Sequence, residues 1–376
     1  MKPTNTIKKL WLCALTISAL GFSACEKEDA PECSGAPAID RVTLPTKRTE
    51  AFTTGNLADW VIIQGSNFCN VSSVMFNDVE ANLSDAYVTS TEITVRIPRV
   101  VPKNVTNKVT VTSEAGTAET PYTLSIPPIE VAGLSNEYAS AGQRVAVVGK
   151  NFDLYGISPT SGKVLWNGAP VTVTRATGDS VYFTVPANAT PGATVKIVDA
   201  NNVEKAVPGR YKDDRNIIFS YDTGTSVWNT NTFITQGPVP TPINGAFIRV
   251  NQRIGAWAWT EFSATNTTLS NTIIANAANY VLRFEVNTLK PFSTNVIKFS
   301  IDGDPGGSGA NTYLWKPLTP FNTRGQWSTV TIKLSSLLTV PLDPNKSQHE
   351  FKFLFHGDGA LDADMSFDNF RIVPKD

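Results

Sequence analysis

Apolar and polar residues alternate in short runs along nearly the whole chain, separated by Gly, Asn and Pro, and no long stretch has an apolar period of 3.6 residues. Successive side chains on a strand point to opposite faces, so this pattern predicts half-buried strands. Trp60-Val61-Ile62-Ile63-Gln64, Val74-Met75-Phe76-Asn77, Glu92 to Pro98 and Lys108 to Thr112 read as strands of a sandwich. The same order then returns. Val145 to Phe152 repeats the first Gly-x-Asn-Phe of Gly65 to Phe68, Val164-Leu165-Trp166-Asn167 repeats Val74 to Asn77, and Val181 to Pro186 repeats the strand that closes on proline. Ala193 to Val198 matches the next strand, which makes an internal repeat of about 85 residues.

The opening residues follow a different pattern. Lys2, Lys8 and Lys9 form a basic stretch, Leu10 to Leu20 an apolar run too short to span a bilayer, and Phe22-Ser23-Ala24-Cys25 a small-residue cleavage site ending in cysteine. This resembles the bacterial lipoprotein signal. The resemblance implies loss of residues 1–24, acylation of the Cys25 thiol and a lasting anchor without a spanning helix; an ordinary secretory signal with an incidental Cys25 is the alternative. Glu26-Lys27-Glu28-Asp29 looks like the charged export signal of Bacteroidetes lipoproteins that face the cell exterior. Residues 25–35 would then be an anchor linker.

Charge and cysteine content narrow the partners. The 376 residues carry 32 Lys+Arg against 33 Asp+Glu, and loss of Lys2, Lys8 and Lys9 with the leader leaves 29 against 33, a net of −4. With no basic block interleaved with aromatics, nucleic acid is not an expected partner. Cys33 and Cys69 remain as two thiols or one disulfide. His349 and His356 are the only histidines and no Cys/His set has ligand spacing, so neither a zinc site nor any cofactor is expected.

The repeated segments, 36–127 and 128–212, resemble the IPT/TIG family of immunoglobulin-like domains. In that resemblance Gly65 and Gly149 give backbone freedom at a tight turn, while Phe68 and Phe152 plug the core. Neither copy holds a catalytic constellation, which implies spacers. Trp166 occupies the place of Phe76 and reads as core.

Residues 213–376 depart from the repeat. Five of the seven tryptophans beyond the leader lie here, and longer alternating runs cover Gly245 to Phe262, Tyr280 to Asn287, Val296 to Asp302, Ser328 to Leu334 and Phe351 to His356. The fold class is all-β: two tandem immunoglobulin-like sandwiches followed by a β-jelly roll. Along Phe247 to Glu261 one parity is apolar, and the other carries Arg249, Asn251, Arg253, Trp257, Trp259 and Glu261. Unless a bulge at Gly255 switches the register, Trp257 and Trp259 share the polar face. Glu285 points outward by the same reasoning, and Tyr313 with Trp315 forms a second wall beyond the glycine-rich loop at Gly306 to Gly309. Trp327 reads as structural and Trp228 stays undecided. Flat aromatics among Arg, Asn and Glu suit a sugar, whose C–H face stacks on the ring while its hydroxyls bond the polar groups. The candidate ligand-binding set is therefore Trp257, Trp259, Tyr313, Trp315, Arg249, Asn251, Glu261 and Glu285, with a neutral polysaccharide as partner.

Tyr280 to Val286, Trp327 to Ile332 and Phe367-Asp368-Asn369-Phe370-Arg371-Ile372 resemble carbohydrate-binding jelly rolls. With the lipobox and the tandem copies, the chain resembles the surface glycan-binding lipoproteins of Bacteroidetes, with a terminal domain of xyloglucan-binding type. That resemblance implies non-catalytic capture of xyloglucan or another β-glucan at the outer membrane and delivery to a TonB-dependent transporter complex. A glycosidase would need a facing carboxylate pair, which Glu261, Glu285, Asp302, Asp304, Asp358, Asp362, Asp364 and Asp368 do not mark out. A protein-binding adhesin or spacer is the other alternative, and Asp302-Gly303-Asp304 leaves a structural calcium open.

Overall fold

A computed structural model describes residues 33–222, 233–316 and 318–375. The described residues through Ile126 form one compact unit and those from Pro127 a second. The second repeat and the terminal domain therefore share one body.

In the first unit, Ala38–Thr43, Trp60–Ser66, Glu92–Arg96 and Tyr87–Val88 form one sheet, in that order; Val79–Glu80, Val71–Phe76, Lys108–Ser113 and Gly116–Pro121 form the other. Val61, Ile63, Val74, Phe76, Ile93, Val95, Val109 and Val111 alternate into the space between them and are fully buried. Cys33 and Cys69 form a disulfide across 36 residues of chain. A closed loop of that length stabilises the fold by about 4 kcal/mol against the unfolded chain. The second copy repeats the arrangement with Glu130–Leu134, Arg144–Lys150, Ser180–Thr184 and Val173–Ala176 facing Ala169–Val171, Lys163–Trp166, Val195–Val198 and Glu204–Ala206. Trp166 is core here, edge-on to Phe183 and Tyr211.

The shared Gly-x-Asn-Phe motif divides its work differently from the expectation. Gly65 and Gly149 are needed for space: a Cβ would strike the carbonyl of Ala38 or Glu130 and lie 2.7 Å from Phe68 Cζ or 2.6 Å from Phe152 Cζ. The left-handed turn falls to Asn67 (φ 58°) and Asn151 (φ 66°). Asparagine tolerates that region because its amide bonds locally, here to Ala36 O at 3.1 Å and Pro128 O at 2.9 Å.

The terminal domain packs two antiparallel sheets. One runs Ile234–Thr235, Phe247–Ile254, Leu361–Pro374, Tyr280–Thr288, Ser328–Lys333, with Ile217–Phe219 also on the long Leu361–Pro374 strand. The other runs Thr260–Thr267, His349–Phe355, Ile297–Ile301, Thr312–Trp315. Phenylalanines from both fill the gap; Phe284 stacks on Phe370 at 4.9 Å and meets Phe299 at 5.1 Å. The single strand expected from Gly245 to Phe262 is two strands in different sheets. Pairing with Leu361–Pro374 ends at Ile254, the chain turns through Gly255 (Ala258 N–H to Gly255 O, 3.2 Å), and pairing with His349–Phe355 begins at Thr260.

Candidate functional site

The crossing segment between the sheets presents the two indoles. Trp257 takes a left-handed φ of 59° and donates its N–H to Gly357 O at 2.7 Å. Such a backbone costs a bulky residue on the order of 1 kcal/mol, and the ring it carries is 62% exposed. Trp259 is 50% exposed. Between them lies His356, edge-on to Trp257 at 5.7 Å and tilted to Trp259 at 5.3 Å. The imidazole packs against both rings, and its Nδ1 is buried. The backbone at Gly306 also comes close to Trp259: a Cβ there would sit 3.1 Å from Trp259 Cζ3. That loop is held by Asp304, whose carboxylate accepts the N–H groups of Ser308 at 2.7 Å and Gly307 at 2.9 Å. These bonds, Ser308 foremost, lower the Asp304 pKa. Lys298 Nζ donates to Pro305 O at 2.6 Å, and burial lowers its pKa.

Register in the four-stranded sheet decides which side chains join this surface. Thr260, Phe355, Ile297 and Trp315 lie side by side, as do Glu261, Leu354, Lys298 and Leu314. The first row faces the phenylalanine core. Trp315 packs on Phe321 at 5.3 Å, Phe292 at 5.4 Å and Phe284 at 5.7 Å. Tyr313, opposite Phe299, also packs against the core. The second wall expected of Tyr313 and Trp315 is therefore not on the surface. Their i, i+2 spacing does put them on one face, but it is the inner one, and the exposed residue of the strand is Leu314. Glu261 stays on the outer row, half-buried.

Two families match the chain. Residues 211–374 match the surface glycan-binding protein B xyloglucan binding domain, and residues 49–126 and 131–211 each match the IPT/TIG domain. The terminal domain is thus of the surface glycan-binding protein B type, carried behind two IPT/TIG domains. Its fold is shared with the surface glycan-binding protein PbSGBP-B from Prevotella bryantii, at 18% identity and a TM-score of 0.55, over 91% of this chain and 100% of that one. SGBP-B from a complex xyloglucan utilization locus in Bacteroides uniformis aligns at 20% identity and a TM-score of 0.48, over 90% of this chain and 99% of that one. No curated protein matches.

The remaining expected contacts sit on the other sheet, Arg249 and Asn251 because the chain crosses between sheets at Gly255, and Glu285 because its strand pairs there. Arg249 forks to Asp364 through two bonds of 2.9 Å and donates to Val239 O at 2.8 Å. The bond to Asp364 raises its pKa. Asn251 is exposed beside Asp364 in register. Glu285 is fully buried: it accepts from Arg371 at 2.8 and 3.0 Å and from Thr329 Oγ1 at 3.0 Å. Arg371 reaches on to Glu137 of the second module at 2.7 Å, and Arg283 donates to the same carboxylate at 2.7 Å. Burial raises the Glu285 pKa. It also opposes the charge of Arg371, yet Glu285 and Glu137 outweigh it and raise that pKa further. So Arg249, Asn251 and Glu285 share no surface with the indoles, and Glu285 is part of a joint between modules.

The other carboxylates considered for hydrolysis are similarly occupied: Asp302 with Lys346 and His349, Asp358 with Lys316, Asp362 with Lys290, and Asp368 buried at the Asn369 N–H. Among the described residues no group of three His, Cys, Asp or Glu is placed to hold a metal. Trp327 donates to Thr241 O at 2.7 Å and packs edge-on to Phe247 at 5.4 Å. Trp228, Cys25 and the leader lie outside the described residues. His356 was missed in the sequence reading, although parity could have found it. Phe351, Phe353 and Phe355 point inward, so His356 falls on the outward parity, next to the Gly357 that anchors Trp257.

Proposed function

We propose that this protein is a lipid-anchored outer-membrane protein that captures a neutral polysaccharide without cleaving it, for uptake. Trp257 and Trp259, exposed in the segment that crosses between the sheets and packed against His356, carry the reading. Two indoles near one another cover the C–H faces of pyranose units, and the half-buried Glu261 and Lys298 sit within the neighbouring row for hydroxyls. The family of the terminal domain supports xyloglucan as the first ligand to test, with other β-glucans next. Cys25 would carry the lipid, the two TIG modules would hold the binding domain off the membrane, and a TonB-dependent transporter complex would receive the glycan.

The test is affinity gel electrophoresis of the protein in gels cast with xyloglucan, mixed-linkage β-glucan or mannan. Xyloglucan retards the wild type, and Trp257→Ala or Trp259→Ala weakens the retention by roughly 30-fold, the effect of losing about 2 kcal/mol at an aromatic hot spot. Retention by none of the gels defeats the function; unchanged retention of both variants defeats the site alone.

A further inference from the structure

A cleft of about 710 Å³ opens where the second module meets the terminal domain, and neither Trp257 nor Trp259 lines it. Gln143, Arg144 and Tyr182 form the module's wall; Asn322, Gln326 and Trp327 form the domain's. The walls are fixed relative to each other. Thr329 donates its N–H to Ser135 O at 3.0 Å and accepts the Glu137 N–H on its hydroxyl at 2.8 Å, beside the buried Glu137–Arg371–Glu285 ion pairs. A cleft held open in advance spares a ligand the cost of ordering it.

The lining has the chemistry of a sugar site with one addition. Trp327 is half-buried and locked at its indole N–H, so its ring cannot swing away. Gln143 and Gln326 are exposed beside it; the Gln143 Oε1 accepts the Ser140 N–H at 2.9 Å, which leaves its NH2 and the Gln326 amide to bond hydroxyls. Arg144 is the single charged residue of the lining, which contains no carboxylate. Its guanidinium rests 5.2 Å from the Tyr182 ring centre, and Arg175 lies 5.7 Å from the same ring. A guanidinium stacked in this way keeps its fork of N–H donors free at the edge, the geometry that pairs with a planar carboxylate.

We propose that this cleft is a second glycan site, selective for an oligosaccharide bearing a uronic acid. Arg144 would bond the uronate carboxylate, Trp327 would cover a ring face and the amides would bond hydroxyls. The site is independent of the indole surface on the other sheet.

Calorimetric titration of the full chain with matched acid and neutral oligosaccharides tests it: tetragalacturonate against its methyl ester, and glucuronosyl-xylotetraose against xylotetraose. At least one acid form is expected to bind about fivefold or more tighter than its neutral partner. Arg144→Ala should erase that preference, and Arg144→Lys should keep part of it. The Trp257→Ala/Trp259→Ala double variant should retain it in full, which separates this site from the polysaccharide surface. Equal or absent binding in both pairs overturns the proposal. So does a preference that survives Arg144→Ala or disappears in the tryptophan variant.

Discussion

The two outer faces of the terminal domain present the same alternation to opposite ends. On the six-stranded sheet the outward positions Arg283, Glu285 and Arg371 are buried, joined at Glu137 to the second module. On the four-stranded sheet the outward row is mixed: Leu354 is buried, Glu261 and Lys298 are half-buried and Leu314 is exposed, with Trp257 and Trp259 exposed at the edge. Charges thus ended up inside a joint and large aromatics ended up in water. Alternation reports which residues share a face; what covers that face is decided by contacts between segments far apart in sequence, 234 residues in the case of Glu137 and Arg371.

Breaking the buried face has the largest effect. Arg371→Met removes the cation shared by Glu285 and Glu137 and leaves two carboxylates buried with less compensation. Removing one partner of a buried ion pair costs about 3–5 kcal/mol, so the urea midpoint of the second unit should fall sharply. Retention of the still-folded protein by xyloglucan should not change. Trp257→Ala gives the reverse result: binding weakens by roughly 30-fold, while stability changes by no more than about 0.5 kcal/mol, as for surface positions. A midpoint unaffected by Arg371→Met, or strongly lowered by Trp257→Ala, would dissolve the contrast between the faces.

Asp368 tests the buried face through pH. Burial pushes its carboxyl well above the usual range, against the opposing Asn369 N–H bond, and Oδ2 is buried without a partner. The folded chain therefore holds this proton at pH values where the unfolded chain has released it. Its contribution to stability is complete below the ordinary aspartate pKa and is lost as pH rises toward the folded value, at up to about 1.4 kcal/mol per unit. Asp368→Asn removes that slope, so the stability of the variant relative to wild type should climb between pH 4 and pH 8 in urea titrations. Parallel pH curves for the two proteins would mean that Asp368 is charged in the fold.

Much of the fold was legible because each repeat spells out its own strands, and Gly65, Asn67 and Phe68 recur as Gly149, Asn151 and Phe152. The roles within that motif were less so, since the close approach of Ala38 O or Glu130 O to the glycine belongs to strand pairing and not to the local sequence. The site was read in part. Trp257 and Trp259 face water as expected, but parity was carried across Gly255, where the chain changes sheets, and this drew Arg249 and Asn251 onto the wrong surface. Tyr313 and Trp315 show the same limit: a strand between a solvent face and a core face has two possible parities, and the neighbouring Phe299 fixed the inner one for the aromatics.

The smallest expected effect probes how tightly the open face is organised. Gly306 has an ordinary backbone conformation, so alanine introduces no strain there; its Cβ would only press on Trp259, at 3.1 Å from Cζ3 and 3.4 Å from Cη2. The indole must yield by a few tenths of an ångström, and His356 also packs against it at 5.3 Å. Gly306→Ala should therefore weaken xyloglucan binding by roughly two- to fivefold, the effect of about 0.5–1 kcal/mol. In a Trp259→Ala background the same change should have no effect, because the ring it displaces is gone; a double-mutant cycle measures that coupling. Additive losses would mean that the Gly306 loop touches the glycan itself, and that the open face extends past the tryptophans onto the Asp304 turn.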